Sequence, residues 1–425
     1  MSQPRLRKNI VIATIGSLGD LHPCLVLGRE LLNRGCRVTI ATTPYYRSKV
    51  EGVGLSFRSM HPDWNPTDSR LIRSCEDLRR GLEVLYRQML LPKLEHTYHD
   101  LISASEDADL LIAGELVYAA PLVAEKLALP WVSVILSPFS FFSCIDPSFT
   151  VNLPVLFQLR RAGPGVYKAA LGLGKLATRH WSSPVRQLRR KEGLRRKCDP
   201  VFEDKFSPHL VLALFSRSFA PKQRDWPEQT IQPGFLYQGD SDMDAFRLNE
   251  FLSAGTPPLV FTQGSTAVHN PRDFYDISVR AAKRLGVRAL LIGTMGTLEE
   301  DANDVMALPY IPYSHIFPKA SVVIHQGGSG TTGEVLRAGR PMLVVPYGWD
   351  QPDNACRIER LGAGLHLPRS RYTVETATAA IGRLLDNPRF SATTAEMASR
   401  IQSENAIGSA CDAIHSLLLR NARPV

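Results

Sequence analysis

Ser321-Val322-Val323-Ile324 runs without a break into His325-Gln326-Gly327-Gly328-Ser329-Gly330-Thr331-Thr332-Gly333-Glu334. An apolar β-branched run, a loop of glycines and hydroxyls, and helix-forming residues as far as Ala338 read as strand, tight loop and helix. Glycines let backbone amides approach a bound anion closely, and the N-terminus of the following helix adds partial positive charge. Ser329, Thr331 and Thr332 add hydroxyl donors. An ordinary turn with a threonine cap is the plainer alternative, but glycines and hydroxyls this dense exceed what a cap needs. The loop also contains Gly328-x-Gly330-x-x-Gly333, formally a dinucleotide fingerprint, with Asp350 about 20 residues on. Asp350 lies past Pro346-Tyr347-Gly348-Trp349, beyond the next strand's end, which weighs against a nicotinamide enzyme.

Outward from this unit the same alternation recurs. Strands are expected at 9–15, 36–41, 108–113 and 131–136, and in the second half at 258–261, 289–292, 321–324 and 342–345. Helices are expected at 23–34, 71–103 (kinked at Pro92), 118–127, 271–285 and 331–338. Alternating strands and helices imply parallel sheets covered on both faces. Two such runs imply two doubly wound domains, divided near the Gly, Ser and Asp cluster at 239–244. In such sheets ligands bind beyond the carboxyl ends of the strands, so the loops after strands carry the chemistry.

With 425 residues the chain is long for one domain. Its 21% charged and 44% hydrophobic residues are globular values and exclude wholesale disorder. No apolar run reaches the roughly 18 residues of a spanning helix. Residues 1–8 are polar and basic, and the apolar run after them reads as a first strand rather than a signal-peptide core. Seven scattered cysteines, with no CxxC spacing, point to a reducing cytoplasm and against a disulfide scaffold or zinc site.

Beyond the first expected strand comes Gly16-Ser17-Leu18-Gly19-Asp20-Leu21-His22-Pro23. Asp20 or His22 either caps the helix that opens at Pro23 or supplies a base to an acceptor hydroxyl. A helix N-terminus lowers a carboxylate's basicity, which counts against Asp20 as a strong base. His22 is the reserve, and Glu115, after the 108–113 strand, is placed to assist.

Tyr310-Ile311-Pro312-Tyr313 precedes the glycine loop; Glu334, Gly339-x-Pro341 and Pro346-Tyr347-Gly348-Trp349-Asp350-Gln351 follow it. This ordered series resembles the nucleotide-sugar motif of family 1 glycosyltransferases, which have the GT-B fold. The loop at Gly16–Pro23 is similar to that of antibiotic, lipid and sterol members, which carry an acid where plant members have a catalytic histidine. The chain looks most like the rhamnosyltransferases of rhamnolipid synthesis.

The resemblance implies an α/β, GT-B architecture: two facing Rossmann-like doubly wound domains with a cleft between them. Residues 1–238 would bind the acceptor and 239–425 the donor, with a last helix near 405–421 packing back. It implies an inverting transfer of sugar from a nucleotide diphosphate, UDP-linked in preference to thymidine-linked, to a hydroxyl of a lipophilic small molecule. By resemblance Asp20 is the base and Gly19 lies beside the donor. Tyr310 stacks on the nucleotide base, Ile311 offers backbone groups to its edge, and Tyr313 lines the same side. Gln326 and the loop Gly328, Ser329, Gly330, Thr331 and Thr332 hold the diphosphate, with Gly264 and Ser265 opposite. Glu334 takes the ribose, and Tyr347, Asp350 and Gln351 serve the donor sugar. Where relatives carry a His–His pair, this chain has His325-Gln326, and glutamine donates a hydrogen bond but never becomes cationic. No metal and no cofactor beyond the co-substrate nucleotide sugar is expected; Asp240-Ser241-Asp242-Met243-Asp244, a DxD pattern, reads as a solvated turn. An NAD-type oxidoreductase and a non-catalytic sugar-nucleotide or lipid binder are the alternatives.

The net charge of +9 is concentrated: residues 155–198 hold twelve Lys and Arg against Glu192 alone. Leu171, Leu173, Leu176, Trp181 and Leu188 interleave with these cations. The segment reads as a solvated helical face or, second, as a peripheral membrane surface. No nucleic-acid-binding module is present, so no nucleic-acid partner is expected.

Overall fold

A computed structural model describes residues 8–65, 68–78, 80–151, 154–196, 199–238, 246–264, 273–293 and 304–420. Seven parallel strands form a first sheet: β1 Asn9–Ala13, β2 Arg37–Thr42, β3 Ser56–Ser59, β4 Leu110–Gly114, β5 Trp131–Ile135, β6 Leu210–Ala213 and β7 Thr230–Ile231. Six more form a second: β8 Leu259–Thr262, β9 Ala289–Ile292, β10 Val305–Leu308, β11 Val322–His325, β12 Met342–Val344 and β13 Gly364–His366. The orders are β3-β2-β1-β4-β5-β6-β7 and β10-β9-β8-β11-β12-β13. Each reverses direction once, between β1 and β4 and between β8 and β11, which opens a crevice above that pair of strands. Both faces of the central strands are buried: Ile10, Ile12, Val260, Phe261, Val323 and Ile324 expose 1% or less. This is why they read as continuous apolar runs rather than as alternation.

Three expectations are corrected. The first long helix is Leu18–Asn33, not 23–34, so Pro23 lies inside it and Asp20 sits in its first turn. Ser17 caps that helix, so chain entry is set by a hydroxyl and a carboxylate rather than by the proline. The 71–103 stretch is broken into Ser69–Cys75, Gly81–Val84, a π-helical turn Leu85–Leu90 and the helix Leu94–Ser105, with Pro92 in a 3-10 turn between the last two. At Gly81 a Cβ would sit 2.0 Å from the Cys75 carbonyl, so the chain doubles back there as only glycine permits. Third, β11 ends at His325, one residue later than expected, which makes this histidine part of the sheet.

The two sheets share packing. Phe215, Phe219, Trp226 and Phe235 lie in one buried cluster with Val260, Ile311, Val323 and Leu336. The last described helix, Ala406–Arg420, places Ala410, Cys411, Ile414 and Leu417 against Leu27, Leu31 and Leu212 of the first half. The expected division at 239–244 and the DxD pattern lie outside the described residues.

Candidate active site

On the donor side, β11 leads through Gly327 and Gly328 into the helix Ser329–Ala338. Gly327 has φ +93°, and a Cβ there would meet Val344 Cγ1 at 2.6 Å, so the turn requires glycine. Gly333 meets the Phe235 ring at 2.7 Å, which lets the helix pack close. Gly330 is different: nothing lies within 4 Å of a Cβ built on it, and its backbone is not left-handed. The N-cap residue, Gly328, supplies no side-chain hydrogen bond to the helix start. The first-turn amides are therefore left without a side-chain cap beside open space, the arrangement that suits an anion.

Around this loop the side chains sort into two groups. His325 is fully buried; its Nδ1 accepts the Gly327 N–H at 3.1 Å and its Nε2 lies 3.3 Å from Met342 Sδ. Burial pushes its pKa down to about 3, so it is a neutral residue that shapes the turn and does not face the cleft. Thr332, Ile311 and Gln351 are also buried, at 0%, 1% and 3% exposure. Gln351 Oε1 accepts the N–H groups of Tyr347 (2.8 Å) and Gly348 (3.2 Å), folding the loop over β12. The Tyr347 hydroxyl accepts from Gln263 and, at 3.0 Å, from Arg369 Nε. Tyr313 stacks on Phe317 and bonds Thr262 Oγ1 at 3.1 Å. These residues build the wall of the site rather than its open surface.

The more open part of the site is formed by Tyr310, Glu334 and Asp350, with buried residues holding them. Tyr310 is 58% exposed, and Glu334 is half-buried near it. Asp350 Oδ2 accepts from Ser329 Oγ and from Asn354 Nδ2, each at 2.8 Å, and Asn354 Nδ2 also reaches the Gly327 carbonyl at 2.8 Å. Asn354 thus joins the glycine loop to the acidic residue; its only sequence signal is its place one helical turn beyond Asp350. Gln326 lies 6% exposed with its amide nitrogen against Gly264, where φ is +64° and a Cβ would come within 2.1 Å of it. It spans from the β8 loop to the β11 loop, and its Oε1 has no hydrogen-bond partner among the described residues. Ser265 lies outside the described residues.

On the facing side, Ser17 and Asp20 form a capping box. Asp20 Oδ2 accepts the Ser17 N–H at 2.8 Å and Ser17 Oγ at 3.3 Å. Gly16 allows this, since a Cβ at its φ of +141° would overlap that oxygen at 2.1 Å. Gly19 is exposed at the start of the helix. Burial pushes the Asp20 carboxyl up to about 7; the Ser17 N–H opposes it, and the Glu115 and Asp350 carboxylates add to it. Asp20 as a residue is half-buried. His22 is pushed down to about 4 by burial and Lys49, and is neutral near pH 7. Glu115 stands at the end of β4, 3.7 Å from Lys205 Nζ. Asp20 and Asp350 each feel Glu115, so carboxylates from both sheets converge on one cleft. The walls also touch: a Cβ on Gly348 would be 3.2 Å from the Glu76 backbone.

Residues 10–140 match the glycosyltransferase family 28 N-terminal domain, and residues 293–409 match the erythromycin biosynthesis protein CIII-like C-terminal domain. The O-mycaminosyltylonolide 6-deoxyallosyltransferase of Streptomyces fradiae is 30% identical over 95% of this chain and 96% of its own length. The chain belongs to the GT-B glycosyltransferases. It is also 27% identical to a sterol 3-beta-glucosyltransferase of Yarrowia lipolytica, over 97% of this chain but 29% of that longer protein. Among solved structures, the spinosyn rhamnosyltransferase complexed with thymidine diphosphate superposes with a TM-score of 0.67 at 17% identity, covering 96% of this chain and all of that one. This GT-B glycosyltransferase is an enzyme, which removes both the oxidoreductase and the non-catalytic binder. Asp350 agrees: it stands immediately before the helix Gln351–Arg360 and does not end a strand.

Part of the basic segment is paired within the fold. Arg189, 5% exposed, pairs with Glu125 at 2.6 Å and with buried Asp204. Lys175 pairs with Glu203 and Lys191 with Glu95. Trp181 is half-buried and leans on Tyr86. What does face outward is the helix Pro164–Thr178, which buries only Tyr167 and exposes Leu173 at 70% and Leu176 at 65%. Among the described residues no helix is long and apolar enough to cross a membrane.

Proposed function

We propose that this enzyme transfers a sugar, with inversion, from a UDP-linked donor to a hydroxyl of a lipophilic acceptor, with Asp20 as the base. The observation that supports the reading is a half-buried carboxylate that burial pushes up to about 7, close enough to Glu115 and Asp350 for their charges to raise it further. Such a group is half ionised at neutral pH and takes a proton readily as the acceptor oxygen attacks the anomeric carbon. The amides at the start of Ser329–Ala338 would stabilise the diphosphate as charge builds on it during departure. Glu334 would accept ribose hydroxyls, and Asp350, held by Ser329 and Asn354, would accept a hydroxyl of the donor sugar. Thymidine diphosphate in the spinosyn enzyme makes the thymidine-linked donor the competitor to UDP. The test is a thermal-shift screen of UDP- and thymidine-linked sugars, followed by nucleotide release with pooled sterol and macrolide acceptors. Stabilisation without acceptor-dependent release from any pair would sink the reading.

Because the helix start supplies the positive charge, the reading needs no resident metal. Turnover in excess EDTA should equal turnover without it; a loss restored by a divalent cation would overturn this part.

A lipophilic acceptor collects in membranes, and we place the enzyme in the cytoplasm, resting on the inner membrane face through the helix Pro164–Thr178. Val166, Leu173 and Leu176 would enter the interface. Arg161, Lys168, Arg179, Arg190 and Arg195 are exposed and have no ion-pair partner among the described residues. Each would add about 1 kcal/mol at an anionic surface. Co-sedimentation with phosphatidylglycerol vesicles at low salt is expected, lost on phosphatidylcholine vesicles and in Leu173→Asp/Leu176→Asp. Equal partitioning to both lipids, or to neither, would leave the helix as a solvated face.

A further inference from the structure

A buried ionic cluster ties the loop after β5 to the helix Gln351–Arg360. From the loop come Asp146, Ser148 and the Phe149 amide; from the helix come Asp353, Arg357 and Arg360. Arg357 is at the centre, with its side chain 2% exposed. Its Nε donates to Asp353 Oδ2 at 2.8 Å, and its two terminal nitrogens reach Asp146 and, at 3.4 Å, Ser148 Oγ. The other Asp353 oxygen accepts the Phe149 N–H at 2.8 Å. Arg360 Nη2 lies 3.0 Å from Asp146 Oδ1. Burial acts to raise the Asp146 carboxyl, but Arg357 and Arg360 outweigh it and hold it below the usual carboxylate range. Arg357 and Asp353 are out of water, Asp146 nearly so, and the half-exposed Arg360 completes a match of two carboxylates with two guanidiniums.

The position of this cluster gives it a function. The helix follows directly on Asp350, the residue assigned above to the donor sugar, and carries Arg357 on its second turn. The loop leaves β5, in the same sheet as β1 and β4, which position Asp20 and Glu115. We propose that Arg357 is a positioning residue: through Asp146 and Asp353 it locks the acceptor-side loop onto the donor-side helix and fixes the distance between Asp20 and Asp350. A hydrophobic contact would hold the two parts together at many spacings. A planar guanidinium engaging two carboxylates holds them in one register. This inference rests on the transferase reading for its catalytic consequence, but the lock itself does not.

Removing Arg357 outright leaves buried carboxylates unpaired and risks unfolding. The tests are therefore Asp146→Asn, which keeps the shape, and Arg357→Lys, which keeps the charge but loses the fork. Hydrogen exchange read by mass spectrometry on the ligand-free enzyme should show 143–149 and 351–360 losing protection together in both variants, with a larger radius of gyration by X-ray scattering. Unchanged exchange in either segment would overturn the lock, whatever the enzyme's substrates prove to be. In the transfer assay, kcat should fall about 10- to 100-fold, as small misplacements cost, while affinity for UDP or thymidine diphosphate by calorimetry stays as in the wild type. Loosened segments with unchanged kcat would reduce Arg357 to a stabilising residue. If wild type turns over no nucleotide sugar, the transferase reading fails while the exchange result still decides the lock.

Discussion

Asp20→Asn is expected to lower turnover about 10²–10⁴-fold, the usual cost of losing a general base, while nucleotide affinity is unchanged. The amide takes no proton, yet its oxygen still accepts the Ser17 N–H, so the helix start survives. In the wild type, kcat/KM should rise with pH through about 7, where Asp20 ionises, and this limb should vanish in the variant. Stability should move the other way. An unfolded Asp ionises near 3.8 and the folded one near 7, so between these values only the folded chain holds the proton. Wild-type stability therefore falls as pH rises across that window. Asn removes the enclosed charge, and the variant should melt higher than wild type at pH 8 but not at pH 3.5. An active site that destabilises its own fold at working pH is a common cost of catalysis. A near wild-type rate in Asp20→Asn with a dead His22→Ala would move the base to His22, whose neutral ring is free to accept a proton.

The fold was legible because its strands are buried on both faces, so apolar runs such as 258–261 and 321–324 stand out against polar loops. The glycine loop was legible for a related reason. Gly327 and Gly333 are required by close contacts that leave a mark in sequence, and Gly330 by none within the chain. Hidden from sequence was the direction each polar side chain takes. His325, Thr332 and Gln351 stand in the motif as polar residues, yet all three are at most 3% exposed and hold the loop from behind. Asn354 and the Asp146–Arg357 contact were missed for a different reason. The first gains meaning only when a helical turn brings it back to Asp350, and the second joins positions 211 apart in the chain. At 155–198 the charge count does not separate a buried, paired guanidinium such as Arg189 from an exposed one such as Arg190.

Glu334→Ala should weaken nucleotide binding by about 1.5–3 kcal/mol, the value of a hydrogen bond to a charged group, or about 10- to 150-fold, with little effect on acceptor KM. Glu334 lies in the helix Ser329–Ala338, five residues beyond the uncapped start, so a diphosphate at that start leaves its ribose over the next turn. Its charge is felt by Tyr237, Tyr310 and Tyr313, whose phenols burial already pushes up, so these rings surround it. Tyr310 is exposed enough to take a nucleobase on its face. One carboxylate accepts two adjacent hydroxyls, and a ribose offers both where a deoxyribose offers one. Calorimetry with UDP and thymidine diphosphate therefore also reads the donor. A larger loss for UDP means that Glu334 holds the vicinal pair and favours the UDP-linked sugar. Equal losses mean a single shared hydroxyl, and the thymidine-linked donor then competes on even terms. Unchanged affinity for both would remove Glu334 from the site and leave nucleotide recognition to Tyr310, the Ile311 backbone and the helix start.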